Sequence, residues 1–532
     1  MKKLIILLAT ILIISLVSMS GFSVNAAVVN KYSVKLSETS DNENSEHNQP
    51  PQNGDSEGDS LPSKYSSVEL GYTSSVKNQY GQICWAFSSL ASYESLMLKN
   101  NLYYSDYNVD HLDYWGTTAE DGTGWQRGAR SGGYTSISVG YLTSWIGPVT
   151  EDEETPRYGT TAIRLYNKDD RNDIKRAVMR TGAITANYND SSAGKSVDGN
   201  SFYITDEITT INGHSISIVG WDDNYSKDNF TGSYMPESDG AWLCKNSWGN
   251  YNSLGGYFWI SYEDYYLLNF DYFDAGFSVE EFQEIKDSDH LYQNEEYGAT
   301  YEFLNESDPK QTFFNVFDFS KNGNVLDKVF FETSSVGANY EIYYVPLDSE
   351  EKPVQNRSEW TQLSEGTVDY HGYICSDFDD LLVSSKKAAI AVEIDASSTG
   401  TSCGIGVCEW LRNEATKEMI FVNSSQRGES FIEFGGQLME LKDYYLNKFN
   451  DEIGGTFVIK AVTNETVNTN IIGDVNLDEA ININDVTSIQ LYLVGRTPNL
   501  IDDQLRNADF NHDGVININD ATAIQIRLAT GN

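Results

Sequence analysis

A thiol, an imidazole and a carboxamide each stand in this chain where they could take part in nucleophilic chemistry. Cys84 lies in Gln79-Tyr80-Gly81-Gln82-Ile83-Cys84-Trp85-Ala86-Phe87-Ser88, where a loop hands over to an apolar pattern. Phe87, Leu90, Ala91, Met97 and Leu98 recur at helical spacing. The cysteine is therefore expected at a helix N-terminus, where unpaired backbone N–H groups and the macrodipole favour a thiolate. His214 stands just before the alternating apolar stretch Ser215-Ile216-Ser217-Ile218-Val219-Gly220-Trp221, and Asn246 between the aromatics of Trp242-Leu243-Cys244-Lys245-Asn246-Ser247-Trp248. A neutral thiol is a modest nucleophile. It needs a base to accept its proton and a group to orient that base, and these three residue types supply such a set. A lone cysteine or histidine is more often a core residue, so the argument rests on the three segments together.

A second constellation lies near the C-terminus, where a segment repeats without a gap at a separation of 35 positions. Ile481-Asn482-Ile483-Asn484-Asp485 recurs as Ile516-Asn517-Ile518-Asn519-Asp520. Counting Asp474 as position 1, oxygen-bearing side chains fall at Asn476, Asp478, Asn482 and Asp485, with the Ala480 carbonyl at position 7. The second copy offers Asp509, Asn511, Asp513, Asn517 and Asp520, with the Val515 carbonyl. Hard oxygen donors at these offsets suit Ca²⁺, so two ions are expected. Glu479 stands where such a loop usually has glycine, which makes the first site the weaker; the second keeps Gly514.

The cysteine, histidine and asparagine segments, in this order, resemble the active-site segments of papain-like cysteine peptidases. His214 follows Cys84 by 130 positions and Asn246 by 162, near the family's spacing of about 130 to 150. The resemblance implies a thiolate-imidazolium pair of Cys84 and His214, oriented by Asn246 and shielded by Trp248. It also implies an oxyanion site made by the Cys84 N–H and an upstream glutamine amide. Gln79 fits that glutamine by motif, although the loop is one residue shorter than usual and its customary upstream cysteine is absent; Gln82 is the alternative donor. Gly132 and Gly133 resemble the ledge that pairs with substrate backbone, and no catalytic cofactor is implied. The C-terminal repeat resembles a type I dockerin, which plugs an enzyme into a cohesin on a scaffoldin. Ile483, Asn484, Ile518 and Asn519 would then face the partner, and their identity in the two copies implies that either copy could do so.

These sites need several supporting elements, and 532 residues are too many for one compact core. The fold expected is multidomain: an α+β two-lobed peptidase over residues 61–280, an all-β sandwich over 286–463, a linker over 464–470 and a small all-α dockerin over 471–532. Short alternating stretches such as Tyr340-Glu341-Ile342-Tyr343-Tyr344-Val345 carry the sandwich. Its position behind a peptidase resembles the lectin-like domain of some bacterial and archaeal enzymes, which makes carbohydrate a further candidate partner. Met1-Lys2-Lys3 and the apolar run after it suit a signal peptide ending at Ala26, followed by a polar tether over 27–60. A net charge of −42 argues against nucleic acid as a partner. Cys375, Cys403 and Cys408 allow one disulfide without fixing the pair, whereas Cys244 suits a buried small hydrophobe. The whole describes a secreted cysteine endopeptidase held on an extracellular or cell-surface cellulosome. The alternative is a non-catalytic subunit of the same complex that binds peptide or carbohydrate.

Overall fold

The computed structural model describes residues 61–530 except 103–105, 270–273, 306–307, 320–324, 384, 401, 414–415, 417, 424, 435, 450–453, 466–470, 479, 497–499 and 501. The expected signal peptide, the tether, most of the linker and Glu479 lie outside the described residues. Two compact units divide the chain. The first comprises residues up to Phe282 with Tyr297–Tyr301 and Glu409–Ser424; the second comprises Gln283–Glu296, Glu302–Cys408 and Ser425–Asn532.

In the first unit a helix spanning Cys84–Lys99 lies against a sheet whose strands run in the order Tyr158–Tyr166, Gly276–Glu284, Ile184–Asn189, Gly213–Asp222, Ala241–Lys245, Tyr257–Ser261 and Ser201–Phe202. The alternation around Ile216 produces the central strand of this array. Ile216, Ile218 and Trp221 enter a core with Ile174, Val178, Ile184, Trp242 and Ile260. Helix and sheet meet through polar groups as well: Ser217 Oγ donates to the Ser88 carbonyl and Thr185 Oγ1 to Ser92 Oγ. The segment Lys64–Ser66 adds a strand antiparallel to Gly213–Asp222, pinned by a Tyr65–Trp221 stack and a bond from the Trp221 indole to the Pro62 carbonyl. A helix over Arg171–Thr181 precedes the Ile184–Asn189 strand.

The helical part of this unit adds Val109–Trp115 and Thr135–Thr143. The short strand Gly124–Trp125 pairs with Met419–Val422, and Trp125 packs on Phe421, so a segment far along the chain completes this region. Among the described residues no helix is long and apolar enough to cross a membrane.

The second unit carries the expected β-rich domain. An antiparallel sheet runs in the order Thr361–Thr367, Asn339–Val345, Lys387–Asp395, Lys310–Asp318, Ser430–Phe434, Gln437–Glu440. It faces a second layer that includes Val325–Thr333, Gly372–Leu382 and Ile459–Glu465, also antiparallel. Asn315 ties the layers by donating to the Phe457 and Ile459 carbonyls. Cys375, Cys403 and Cys408, which could have supplied one disulfide, form none, and neither do Cys84 and Cys244.

The C-terminal part holds helices at Ile483–Leu493, Asp502–Ala508 and Ile518–Thr530. Val486 and Ile489 from one copy of the repeat meet Ala521 and Ile524 from the other in a shared core. The helix at Asp502–Ala508, which the repeat pattern does not announce, closes that core with Ala508.

Candidate active site

The antiparallel sheet brings the imidazole and carboxamide together. His214 is near the start of the Gly213–Asp222 strand, Asn246 follows directly on the neighbouring Ala241–Lys245 strand, and Ser217 pairs with Lys245 in the register between them. Both side chains therefore emerge at one end of the sheet. The Asn246 Oδ1 atom accepts the Ser247 backbone N–H at 2.8 Å, which identifies it as the oxygen, so the His214 Nε2 atom 2.9 Å away must be the donor. That fixes the neutral tautomer and leaves Nδ1 for the thiol. Trp248 stacks on the imidazole at a centroid separation of 4.6 Å and 22°, covering the bond to Asn246.

Cys84 is the first residue of its helix, and Ile83, which precedes it, provides no side-chain cap. No acidic residue occupies the first turn, so the positive end of the helix faces the thiol without an anionic competitor. Desolvation pushes the thiol up, but the His214 charge, the hydrogen bond to His214 and those from Ser215 outweigh it and hold Cys84 below its ordinary value. Burial likewise pushes His214 down; the charge of Cys84 and bonds to Cys84 and Asn246 prevail and hold it above. The opposite shifts are what an ion pair produces. Cys244, by contrast, is buried with a thiol raised well above the usual range, chiefly by desolvation.

Two loops flank the thiol. Residues 77–79 are zipped to 247–249: the Gln79 N–H bonds to the Ser247 carbonyl at 2.7 Å, and the Gly249 N–H to the Lys77 carbonyl at 2.9 Å. Behind them, Lys77 and Ser74 both bond to Glu94, a fully buried carboxylate of the Cys84 helix. Gln79 is thus tied to both the helix and the asparagine strand. Ser247 Oγ holds the Gln79 Oε1 atom at 2.6 Å, and the Gln79 amide points into the shortened loop at the Gly81 carbonyl, 3.2 Å away. Gln82 is exposed; its backbone N–H bonds to the Arg130 carbonyl at 3.0 Å.

The Gly132-Gly133 segment is held by Arg127, whose guanidinium donates to the Ser131 and Gly132 carbonyls at 2.8 Å and pairs with buried Asp113. Gly133 packs on the Trp85 indole so closely that a Cβ would lie 2.6 Å from the ring. The structure brings together Cys84, His214, Asn246 and Gln79, with Gly133 packed on the residue after the thiol and Gly132 held by Arg127. Ser247, Ser215 and Arg127 were not legible as site residues, because each acts through a contact between distant segments.

In the C-terminal repeat, Asp474, Asp485 and Asp520 are fully buried although they are carboxylates. Asp485 accepts the N–H groups of Val475 and Asn476 through Oδ1 and of Asn482 through Oδ2; Asp520 does the same for Asn511 and Asn517. Asp478 and Asp513 N–H groups turn inward onto Asp474 and Asp509. Burial of two anions in one small loop is costly unless a cation offsets it. The donor set therefore fits a hard divalent ion. Among the described residues no three acidic, histidine or cysteine side chains stand together as a metal cluster. Ile483, Asn484, Ile518 and Asn519 are all exposed at the starts of their helices.

Comparison with known proteins follows this geometry. The model of the papain family cysteine proteases matches residues 129–269, that of a lectin-like domain 291–463 and that of the type I dockerin domain 472–529. A cysteine-to-alanine form of the clostridial cysteine protease Cwp84 after propeptide cleavage is 32% identical with a TM-score of 0.68, over 76% of this chain and 99% of that one. The chain belongs to the papain-like cysteine peptidases. A second structure of the cysteine protease and lectin-like domains of Cwp84, a surface layer associated protein of Clostridium difficile, matches this peptidase at 32% identity and TM-score 0.67, over 76% of this chain and 89% of that one. Testin-2 of Rattus norvegicus is 25% identical over 217 residues, 37% of the peptidase chain and 60% of the testin. The peptidase spans less than two thirds of that curated relative. The papain-family match begins after Cys84 and Gln79, so the geometry above is what relates those two residues to His214 and Asn246.

Proposed function

We propose that the chain is a secreted cysteine endopeptidase, delivered by a calcium-loaded dockerin to a cohesin on an extracellular scaffoldin. The observation that carries the chemistry is the bond from His214 Nε2 to Asn246 Oδ1, which turns Nδ1 toward a thiol at a helix N-terminus. In the resting pair the proton of Cys84 resides on His214. The thiolate attacks the scissile carbonyl, and the oxyanion is met by the Cys84 N–H and the Gln79 amide. His214 gives its proton to the leaving amine, leaving a thioester on Cys84. The neutral imidazole then takes a proton from water as the oxygen attacks that thioester, and collapse releases the acid and restores the ion pair. Gly132 and Gly133 pair with substrate backbone on the acyl side.

In the dockerin, Asp474, Asn476, Asp478, Asn482 and Asp485 would hold one Ca²⁺, and Asp509, Asn511, Asp513, Asn517 and Asp520 another. The ions supply counter-charge for the buried carboxylates. Ile483-Asn484 and Ile518-Asn519 form the two interchangeable cohesin faces.

An epoxide label for papain-like thiols, applied to the full chain with a peptide turnover assay, tests the chemistry. One label on Cys84 and loss of cleavage in Cys84→Ala are expected. Cleavage that survives Cys84→Ala, or a wild-type chain that takes no label, overturns the mechanism.

A further inference from the structure

Next to the catalytic constellation stands a cation that the reaction does not use. The Lys195 ammonium lies 4.7 Å over the Trp248 ring, and Trp248 stacks on His214. We propose that Lys195, presented on the Trp248 indole, is a subsite for a substrate carboxylate in the leaving half of the peptide. The proposal rests on the peptidase reading and names the substrate class at that site.

The side of the cleft follows from proton transfer. His214 must reach the leaving amine, so groups that extend the imidazole through Trp248 flank the residues after the scissile bond. The ledge beside Cys84 flanks those before it. An extended peptide advances about 3.4 Å per residue, so the first two or three leaving residues pass an ammonium one indole away from the imidazole.

The ammonium is also firmly placed. Lys195 forms a backbone bridge with buried Phe202, and the Tyr203 N–H bonds to the Gly194 carbonyl at 3.1 Å. Gly194 lies so close to its neighbours that a Cβ would be 2.5 Å from Ile204 and 2.8 Å from Phe202, which keeps the loop flat against the sheet. Buried Asp190 pairs with the ammonium at 2.9 Å and is itself held by the Tyr188 hydroxyl at 2.9 Å. The lysine side chain nevertheless remains 40% exposed. Its inner side is fixed by a carboxylate and an aromatic face, and its outer side is open. An ammonium has three donors, so a second carboxylate from substrate can share it.

An acidic side chain and a peptide's terminal carboxylate share this chemistry, and the test separates them. Quenched peptides randomised on the acyl side carry Glu, Gln or Lys at the first or second leaving position, with the C-terminus amidated. A parallel set carries Gln with a free C-terminus two residues after the bond. In the full chain Glu should be preferred over Lys by about fivefold in kcat/KM, the upper range for a partly exposed ion pair. Lys195→Ala should abolish the preference, Lys195→Glu reverse it and Lys195→Arg retain it, with Cys84 still taking one label in every variant. A gain confined to the free-terminus set assigns the subsite to the terminal carboxylate. Equal cleavage of all sets by the wild type, or a preference that survives both Lys195→Ala and Lys195→Glu, overturns the subsite while leaving the peptidase intact. Failure to cleave any peptide together with an unlabelled Cys84 sinks the peptidase reading and the subsite with it.

Discussion

Opposite displacements of the thiol and the imidazole set how turnover depends on pH. Cys84 is held below its ordinary value, despite desolvation, by the His214 charge and hydrogen bonds, so the thiolate persists further into acid than a free thiol would. His214 is held above its ordinary value, against burial, by Cys84 and Asn246, so the imidazolium persists further into alkali. The reactive pair exists between these limits, and a bell-shaped kcat/KM profile is expected with its acid limb from Cys84 and its alkaline limb from His214. Asn246→Ala removes one of the interactions that raise His214, so the alkaline limb should move to lower pH while kcat falls by a factor on the order of 10². An unchanged alkaline limb would show that Asn246 does not govern the imidazole. The same reasoning separates the two glutamines. Gln79 is gripped by Ser247 through its oxygen, and its amide, one N–H of which donates to the Gly81 carbonyl, has a second N–H to offer the oxyanion. Gln79→Ala should therefore lower kcat about 10²-fold to 10³-fold, the cost of one oxyanion donor, whereas exposed Gln82→Ala should leave kcat unchanged. A comparable loss in both variants would reassign the donor.

The two loops beside the thiol behave as one element because Gly81 and Arg130 clasp. Gly81 has φ of +74°, and a Cβ there would lie 2.8 Å from the Arg130 carbonyl, the same oxygen that accepts the Gln82 N–H. Gly81→Ala should thus cost about 1–2 kcal/mol from backbone conformation alone and spread the oxyanion loop from the ledge. A lowered melting temperature with a fall in kcat/KM is expected; a variant with unchanged melting and turnover would show that the clasp is slack. This coupling was hidden in the sequence, although the ends of many elements were not. The helix begins at Cys84, where the apolar periodicity places it, because that pattern is local. Its polar residues gave no sign that Trp85 through Met97 are all buried, Glu94 included, since the groups that donate to Glu94 are Ser74 and Lys77 on another segment. Ile137, Val139 and Tyr141 alternate as in a strand, yet Thr135–Thr143 is a helix. Burial on every side removes the solvent-facing stripe that helical periodicity needs to be seen. The pairing of Gly124–Trp125 with Met419–Val422 joins segments too far apart for any local pattern to record.

At the scale of the whole chain, the chemistry and its delivery occupy different modules held together by different forces. The catalytic residues are fixed by a hydrophobic sheet core and by hydrogen bonds between segments of one unit, with no calcium ligand among them. The C-terminal repeat has a small core, and its Asp474, Asp485 and Asp520 carboxylates are buried, the first two in one loop and the third in the other. Withdrawing their counter-ion restores the full repulsion to a module with few apolar contacts to resist it. A bound ion would then supply folding free energy for that module, and the proposed catalytic residues include none of its ligands. Chelation of calcium in the full chain should abolish capture by an immobilised cohesin and lower helical circular dichroism, while Cys84 labelling and peptide turnover continue unchanged. Readdition of calcium should restore capture. The repeat adds a further expectation, because Ile483-Asn484 and Ile518-Asn519 are exposed at equivalent helix starts. Alanine in place of either pair alone should leave cohesin binding within about tenfold of the parent, since one face suffices and the lost exposed contacts of the other are worth little. Alanine at both pairs should eliminate it with calcium binding intact. Loss of binding from the first pair alone would assign recognition to one copy and make the second structural, and turnover that fails with chelation would mean that the two modules are not energetically separate.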